Sequence, residues 1–197
     1  MADSIVIHRT EHRVTPEYVL RAPRQAALCT WSGSTLVRPY RWTVVLDPET
    51  LWFGVEFPKA KPTPPRYKHG EFVEWLAQQG DVAELFLMDA AGQYQEFHIT
   101  GDGAWWAMTF SGYRTRAFEP VTPQVVIWCA DGEGGEWRGV LGVSRAQVAV
   151  SLVGGSLGQV SACLHEAGEV SYVSSAGAPN YEPDFHDRRS FQLIEFA

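Results

Sequence analysis

The chain has 197 residues and a net charge of −7; 45% of its residues are hydrophobic and 20% are charged. These values predict one folded domain over residues 1–197 and argue against a disordered chain. The acidic balance also argues against nucleic acid or an anionic membrane surface as a partner, because both attract clusters of Lys and Arg.

Short runs in which apolar and polar residues alternate make up most of the sequence. In 50–57, apolar side chains such as Leu51 and Phe53 fall on one face, with the period of two typical of a half-buried strand. Residues 70–79 have the spacing of one short helix, and 144–148 that of a turn. The predicted strands are 50–57, 82–88, 94–100, 105–110, 125–129, 137–143, 159–165 and 191–196.

Gly92 and Gly103 lie in short connections between consecutive predicted strands. Such connections favour a meander of three antiparallel strands over residues 82–110. The predicted fold class is therefore all-β: an antiparallel two-sheet β-sandwich, jelly-roll-like, with at most one or two short helices.

Common catalytic motifs are absent from the sequence. It contains no GxGxxG, no P-loop, no HExxH zinc motif and no GxSxG nucleophile elbow. Their absence lowers the expectation of catalysis, so the sequence favours a binding domain over an enzyme.

Polar and aromatic residues are concentrated between residues 81 and 114. By alternation, Tyr94, Glu96 and His98 share one face of a strand, roughly 6.5–7 Å apart. Glu84 lies in an otherwise apolar strand, where a buried carboxylate anchors a neighbouring strand or binds a ligand. The sequence leaves both roles open for Glu84.

Several further residues each have two interpretations. Trp105 and Trp106 cannot both face the core of a regular strand, so we expect one to pack inside and Trp105 to be a candidate aromatic platform. Arg114 either bridges strand ends or reaches a ligand. Asp184 and His186 either contact a metal or a sugar or, the interpretation we favour, lie in a loop that pins the last strand through their hydrogen bonds.

The order of these residues carries a family resemblance. The segments are Asp81-x-x-Glu84-x-Phe86-Leu87, Tyr94-x-Glu96-Phe97, Gly103-x-Trp105, Phe110-x-Gly112-Tyr113-Arg114, Gly168-x-x-Ser171-Tyr172 and Pro183-Asp184-Phe185-His186. In this order they resemble the DOMON-like, carbohydrate-binding family 9-like domain, over roughly residues 30–197.

The resemblance implies a β-sandwich that binds the end of a sugar chain on a concave face. Two aromatic side chains would clamp the sugar ring, while carboxylates and Arg bind its hydroxyls. Trp75 is near the position of the first aromatic. Val173 follows Ser171-Tyr172 where the family often has Trp, which leaves Tyr172 or Tyr181 as a substitute. The candidate ligand-binding residues are Trp75, Glu84, Tyr94, Glu96, His98, Trp105, Arg114, Asp184 and His186.

Other functions remain open at this stage. A hydrolase would use two of Glu84, Glu96 and Asp184, about 5–5.5 Å apart for retention or about 6.5–9.5 Å for inversion. A haem protein would need His98 with a methionine in one pocket. A third alternative is a protein-interaction scaffold without a ligand.

No cofactor is predicted, although a structural calcium ion is compatible with Asp81, Asp89 or Asp102. A saccharide or similar small polar ligand is the expected partner, and the sequence predicts neither an oligomeric state nor a membrane span. Residues 1–5 lack the pattern of a signal peptide. This predicts a cytoplasmic protein, or a periplasmic or secreted one if a leader has been removed.

Overall fold

The fold is taken from a computed structural model that describes residues 4–57, 63, 67–74, 76–117, 125–131, 137–177 and 182–197, with the backbone alone for 125–131. These residues form one α-helix, α1 (Pro16–Arg21), and three short 3-10 turns at Leu76–Gln78, Arg145–Gln147 and Arg188–Ser190. The strands are β1 (Ser4–Arg9), β2 (Gln25–Cys29), β3 (Thr35–Leu46), β4 (Thr50–Glu56), β5 (Val82–Met88), β6 (Tyr94–Thr100), β7 (Trp105–Gly112), β8 (Thr115–Arg116), β9 (Val125–Asp131), β10 (Trp137–Ser144), β11 (Leu157–Glu166), β12 (Glu169–Ser174) and β13 (Gln192–Phe196).

The strands form two layers joined by one hydrogen-bonded path. The front sheet has the order β8-β7-β6-β5-β11, with β12 also paired to β11; the back sheet has the order β13-β1-β3-β4-β10-β9, with β2 paired to β3. The layers join where Leu157 and Gly158 of β11 pair with β13. All ladders are antiparallel except those of β1, which runs parallel to β13 and β3. The predicted β-sandwich fold is confirmed.

The main hydrophobic core lies between the two sheets. Leu85 and Phe97 from the front sheet meet side chains such as Trp42 and Phe53 from the back sheet, and all four are almost completely buried. Burial of such side chains contributes about 1.5–3 kcal/mol each. The core therefore fixes which face of β5 and β6 points inward.

The front sheet is covered on its outer face as well. Phe86 and Tyr94, which point away from the main core, belong to a second buried cluster that includes Phe191. Every residue of β5 and β6 is buried as a result. Polar side chains on the outer face of these strands are thus almost completely enclosed by protein.

The predicted strands are confirmed with small shifts in their ends, as is the meander β5–β6–β7. The predicted helix at 70–79 is wrong for the described residues. There, Val73 N donates to Trp105 O and Trp105 N donates to Glu71 O, so this segment pairs with the edge of β7 and forms only a 3-10 turn afterwards. Within the described part of the chain, no helix is long and apolar enough to cross a membrane.

Helix α1 covers the outer face of the back sheet. Thr15 caps its N-terminus by accepting from Tyr18 N, and Pro16 occupies the first turn, where no N–H is needed. Val19 is fully buried and packs with Trp52 and other side chains of the sheet. The helix approaches closely because β4 has a glycine, Gly54, at this point.

Gly54→Ala should destabilise the fold. The added Cβ would lie 2.9 Å from Val19 Cγ1 and 2.9 Å from Thr43 Cγ2. Overpacking of this kind costs about 1–3 kcal/mol. Gly112→Ala is the matched control, since it is also a strand glycine and its Cβ would meet nothing within 4 Å. Urea denaturation of both variants measures the difference; equal free energies of unfolding would contradict a close contact between α1 and β4.

Candidate ligand-binding site

A pocket of about 210 Å³ opens on the outer face of the front sheet. Strands β5, β6, β7, β11 and β12 form its floor and one wall, and the segment 182–187 forms its rim. A larger depression of about 540 Å³ beside Arg9 and Arg145 is open surface, and none of its lining residues has a buried side-chain atom without a partner. The smaller pocket is lined by Ala77, Gln78, Glu84, Phe86, Glu96, His98, Trp106, Arg114, Cys163, Tyr172, Pro183, Phe185 and His186.

The strand register determines which residues form the polar floor of the pocket. Ser161, Glu84, His98 and Trp106 are directly opposite one another on β11, β5, β6 and β7. Opposite residues of an antiparallel pair share a face and have Cβ atoms about 4.5–5.5 Å apart. The floor is therefore one cross-strand row, with Glu96 two residues from His98 on the same face.

The floor is a buried charge cluster. His98 Nε2 lies 3.7 Å from Glu84 Oε1 and 3.6 Å from Glu96 Oε2, and Ser161 Oγ donates to Glu84 Oε2 at 2.7 Å. Burial raises the pKa of Glu84, against the opposing effects of His98 and the Ser161 hydrogen bond. Burial alone would lower the pKa of His98, but Glu84 and Glu96 outweigh it and raise that pKa.

Three polar atoms of the floor have no hydrogen-bond partner within the described chain. They are Glu96 Oε1 and both ring nitrogens of His98, whose nearest carboxylate oxygens lie beyond hydrogen-bonding distance. The Glu96 and His98 side chains are only 1% and 3% exposed. A buried polar atom without a partner costs about 1–3 kcal/mol. The floor therefore offers both acceptor and donor capacity to a ligand.

Asp184 fixes the rim of the pocket to the turn between β7 and β8. Its carboxylate accepts from Tyr113 Oη at 2.6 Å, from Arg114 Nη2 at 3.1 Å and from His186 N at 3.0 Å. Burial alone would raise the pKa of Asp184, but the hydrogen bonds from Tyr113 and Arg114 outweigh it and lower that pKa. The carboxylate is therefore ionised and holds the segment 182–187 in place.

Tyr94 supports His186 from below. The Tyr94 hydroxyl lies 2.8 Å from His186 Nδ1 and accepts from Arg114 N at 3.1 Å. His186 Nε2 then lies 3.9 Å from Glu96 Oε2. Tyr94 is thus a supporting residue and does not itself line the pocket.

Aromatic side chains form the walls. Trp106 stands edge-on to His98, with ring centroids 4.8 Å apart, and Phe185 and Tyr172 form another part of the wall, with centroids 6.0 Å apart. Trp31 packs behind Phe185 at 5.5 Å, and Trp31 N donates to Tyr172 O. Phe185, Trp31 and Trp106 were not among the site residues predicted from the sequence.

Comparison with known proteins supports the fold. No family model matches the sequence, and no curated protein matches it. A Bacteroides uniformis protein with a provisional carbohydrate-binding assignment has a TM-score of 0.73 at 15% identity, and the match covers 99% of both chains. A carbohydrate-binding module family 9 (CBM9) domain from Caldicellulosiruptor kristjanssonii, in complex with glucose, has a TM-score of 0.61 at 9% identity, over 98% of this chain and 95% of that one. The cellotriose complex of a CBM9 domain from this organism has a TM-score of 0.59 at 8% identity, over 98% and 93%.

The chain has a CBM9-like fold. The resemblance predicted from the sequence is therefore confirmed at the level of the fold.

The CBM9-like fold brings together most of the predicted site residues. Five of them line the pocket, while Tyr94 and Asp184 support it from behind and from the rim. Trp75 and Tyr181 lie outside the described residues. The five lining residues are Glu84, Glu96, His98, Arg114 and His186.

The placement of Trp105 needs correction. Its ring belongs to the core between the sheets, its Nε1 donates to Gly70 O at 3.0 Å, and it packs against Phe72. The alternation of β7 turns Trp106 to the pocket instead. Both tryptophans are apolar and adjacent, so the sequence alone did not determine which one faces outward.

The three carboxylates considered as calcium ligands accept hydrogen bonds from backbone N–H groups. Asp81 accepts from the backbone N–H groups of Thr63 and His165, and Asp89 accepts from those of Ala91 and Gln93. Asp102 likewise accepts from neighbouring backbone groups. Across the described residues, no group of three or more His, Cys, Asp or Glu side chains is arranged to hold a metal ion.

The raised pKa of His98 predicts a pH-dependent stability. A histidine whose pKa is higher in the folded state stabilises the fold fully below its unfolded pKa of about 6.5, and this contribution is lost as the pH rises through the folded pKa. Burial lowers the pKa of His186, so its contribution to stability is fully present above about pH 6.5 and does not change with pH there. Wild-type protein should therefore lose more stability from pH 6.5 upward than His98→Gln does.

Denaturant unfolding at several pH values between 6.5 and 8 measures this slope. His8→Gln, a change on β1 outside the pocket, is the control and should keep the wild-type slope. Equal slopes for wild type and His98→Gln would contradict a dominant contribution of His98 to the pH dependence, since Glu84, whose pKa is also raised by burial, would then supply the slope.

Proposed function

We propose that this CBM9-like domain binds a free monosaccharide or the end of a saccharide chain in the pocket, without catalysing a reaction. One observation carries the proposal: the buried Glu96 Oε1 and His98 Nδ1 have no hydrogen-bond partner in the described chain, and both residues line an aromatic-walled pocket. Sugar hydroxyls can both donate and accept, so they can satisfy such a mixed floor.

The walls suit the rest of a sugar ring. Trp106, Tyr172 and Phe185 present aromatic surface on which the C–H faces of a pyranose can be buried. The volume of about 210 Å³ is below the range of roughly 300–1,000 Å³ usual for drug-sized ligands. The pocket therefore fits one sugar residue, which favours recognition of a chain end over recognition of a chain's middle.

The fold comparison supports the choice of probes. The CBM9 structures from Caldicellulosiruptor kristjanssonii contain glucose and cellotriose. Glucose and cellotriose are therefore the first ligands to test on this chain.

The arrangement of the acids does not favour a hydrolase. Glu84 is held by Ser161 and His98, and Asp184 by Tyr113, Arg114 and the backbone of His186. A glycosidase needs one acid on each side of the scissile bond. Here Glu84 and Glu96 approach the same His98 nitrogen from one sheet face, which suits binding better than bond cleavage. A haem protein would need a methionine beside His98, and none of the described residues that line the pocket is a methionine.

Glu96→Gln should weaken saccharide binding at least about tenfold, which corresponds to about 1.4 kcal/mol. The substitution keeps the shape of the side chain but replaces one carboxylate oxygen by an NH₂ group, which cannot accept a hydrogen bond. Calorimetric titration of wild type with glucose and cellotriose, repeated on the variant, measures the change.

Glu195→Gln is the matched control, because it removes the same charge from an exposed position on β13. This variant should bind as wild type does. Equal losses in both variants would indicate a general charge effect, and binding of neither sugar by wild type would count against the proposal.

A further inference from the structure

We infer that two hydrogen bonds, from Arg114 N–H to the Tyr94 oxygen and from Tyr94 O–H to His186 Nδ1, fix His186 as the Nε2–H tautomer. The Nε2–H group and the Glu96 carboxylate then together select a ligand hydroxyl. This inference rests on the proposed function, since it names the chemical group that the same pocket recognises. It assigns to Tyr94 the role of a positioning residue.

The direction of the hydrogen bonds follows from the partners of Tyr94. The backbone N–H of Arg114 can only donate, so the Tyr94 oxygen accepts it at 3.1 Å. Tyr94 is 1% exposed, and in the described chain its hydroxyl lies 2.8 Å from His186 Nδ1, which can accept its hydrogen. If Nδ1 carried the proton instead, the buried Tyr94 hydroxyl would face two donors and its own hydrogen would be unsatisfied.

Protonation states agree with this direction. Burial raises the pKa of Tyr94 far above neutrality, so its hydroxyl keeps its proton. Burial lowers the pKa of His186, an effect that the nearby Glu96 only partly opposes. The charged groups around His186 also include Arg114, Asp184 and His98. A neutral imidazole that accepts at Nδ1 carries its hydrogen on Nε2.

The geometry at Nε2 then defines the ligand group. His186 Nε2 and Glu96 Oε2 are 3.9 Å apart, too far for a direct hydrogen bond. One oxygen atom can lie within about 2.8–3.0 Å of both. It must accept from Nε2–H and donate to the carboxylate, and an alcohol hydroxyl does both. An ether or carbonyl oxygen cannot donate, an ammonium group cannot accept, and a ligand carboxylate would be repelled by Glu96.

The turn that carries Arg114 makes the arrangement specific. Arg114 has a φ of 51°, in the left-handed region that non-glycine residues rarely adopt. In this conformation its backbone N–H reaches Tyr94 while its side chain reaches Asp184, whose carboxylate also accepts from the backbone of His186. One residue thus positions both the ring nitrogen and the backbone of His186.

The tautomer can be measured on the free protein by long-range ¹H–¹⁵N NMR of the histidine side chains, with His186→Gln used for assignment. At pH 7 we expect an unprotonated Nδ1 and a protonated Nε2. Tyr94→Phe, which keeps the ring stacked on Phe110 but removes the hydroxyl, should shift the signals toward a mixture of tautomers. Tyr40→Phe removes another buried hydroxyl, one that donates to Ser161 O, and should leave the His186 signals unchanged. An Nδ1–H tautomer in wild type, or an unchanged spectrum in Tyr94→Phe, would overturn the inference.

The selection of a hydroxyl is tested by titrating wild type with glucose and with its monodeoxy, monofluoro and mono-O-methyl derivatives. At one ring position all three changes should weaken binding about tenfold or more, because none of the replacements can donate to Glu96. Tyr94→Phe should bind glucose several-fold more weakly than wild type does. It should also discriminate less between glucose and the derivatives changed at that ring position. Equal affinity for all derivatives would contradict the selection. Failure of every sugar to bind would overturn the proposed function and the selection together, while the tautomer measured without ligand would stand.

Discussion

The ion-paired cluster of Glu84, His98 and Glu96 is the constraint around which the pocket is organised. These groups lie on a sheet that is covered on both faces, so they are removed from water. Burying an unpaired charge costs several kcal/mol, and the cost falls when opposite charges and hydrogen bonds surround the group. Each carboxylate therefore faces His98, and Glu84 has the additional hydrogen bond from Ser161. Glu96 Oε1 and His98 Nδ1 are left without a hydrogen-bond partner in the described chain, and both residues line the pocket.

The rim depends on this cluster through a second set of contacts. Glu96 lies close to His186, His186 contacts Tyr94, and Tyr94 accepts from the backbone of Arg114. Asp184 connects the same two residues again, because its carboxylate accepts hydrogen bonds from the Arg114 side chain and from the backbone of His186. Two segments far apart in the sequence, the β7–β8 turn and residues 182–187, are thus held together by polar contacts at the edge of the pocket. Such partly exposed contacts open more easily than the apolar core beneath them.

Much of the front sheet could be predicted from the sequence, because turn chemistry and strand period are local signals. Gly92 and Gly103 both have positive φ and mark the two turns of the meander. The shared face of Tyr94, Glu96 and His98 follows from the period of two alone. The position of Glu84 opposite His98 depends on the register between β5 and β6. The short turn sets this register, and the alternation within one strand does not show it.

The rest could not be predicted because it depends on contacts between distant segments. The choice between Trp105 and Trp106 was open because both faces of β7 are buried and accept an aromatic ring. The back sheet begins with β1, where Ile5 and Ile7 alternate with less buried residues, a signal too short to distinguish from chance. The helical spacing at 70–79 was outweighed by backbone pairing with the edge of β7, since tertiary hydrogen bonds override a weak local preference.

The fold also explains the departure at Val173 from the family pattern. Val173 is fully buried between the sheets, opposite Ala162 on β11, while its neighbour Tyr172 points to the pocket. An indole at position 173 would have to fit into a filled core, where added volume costs about 1–3 kcal/mol. Aromatic surface reaches the pocket by another route: Phe185 stands at the rim, supported by Trp31, whose backbone is tied to Tyr172. Because Phe185 is held by the Asp184 contacts and not by a strand, the aromatic wall and the polar rim of this pocket depend on the same segment.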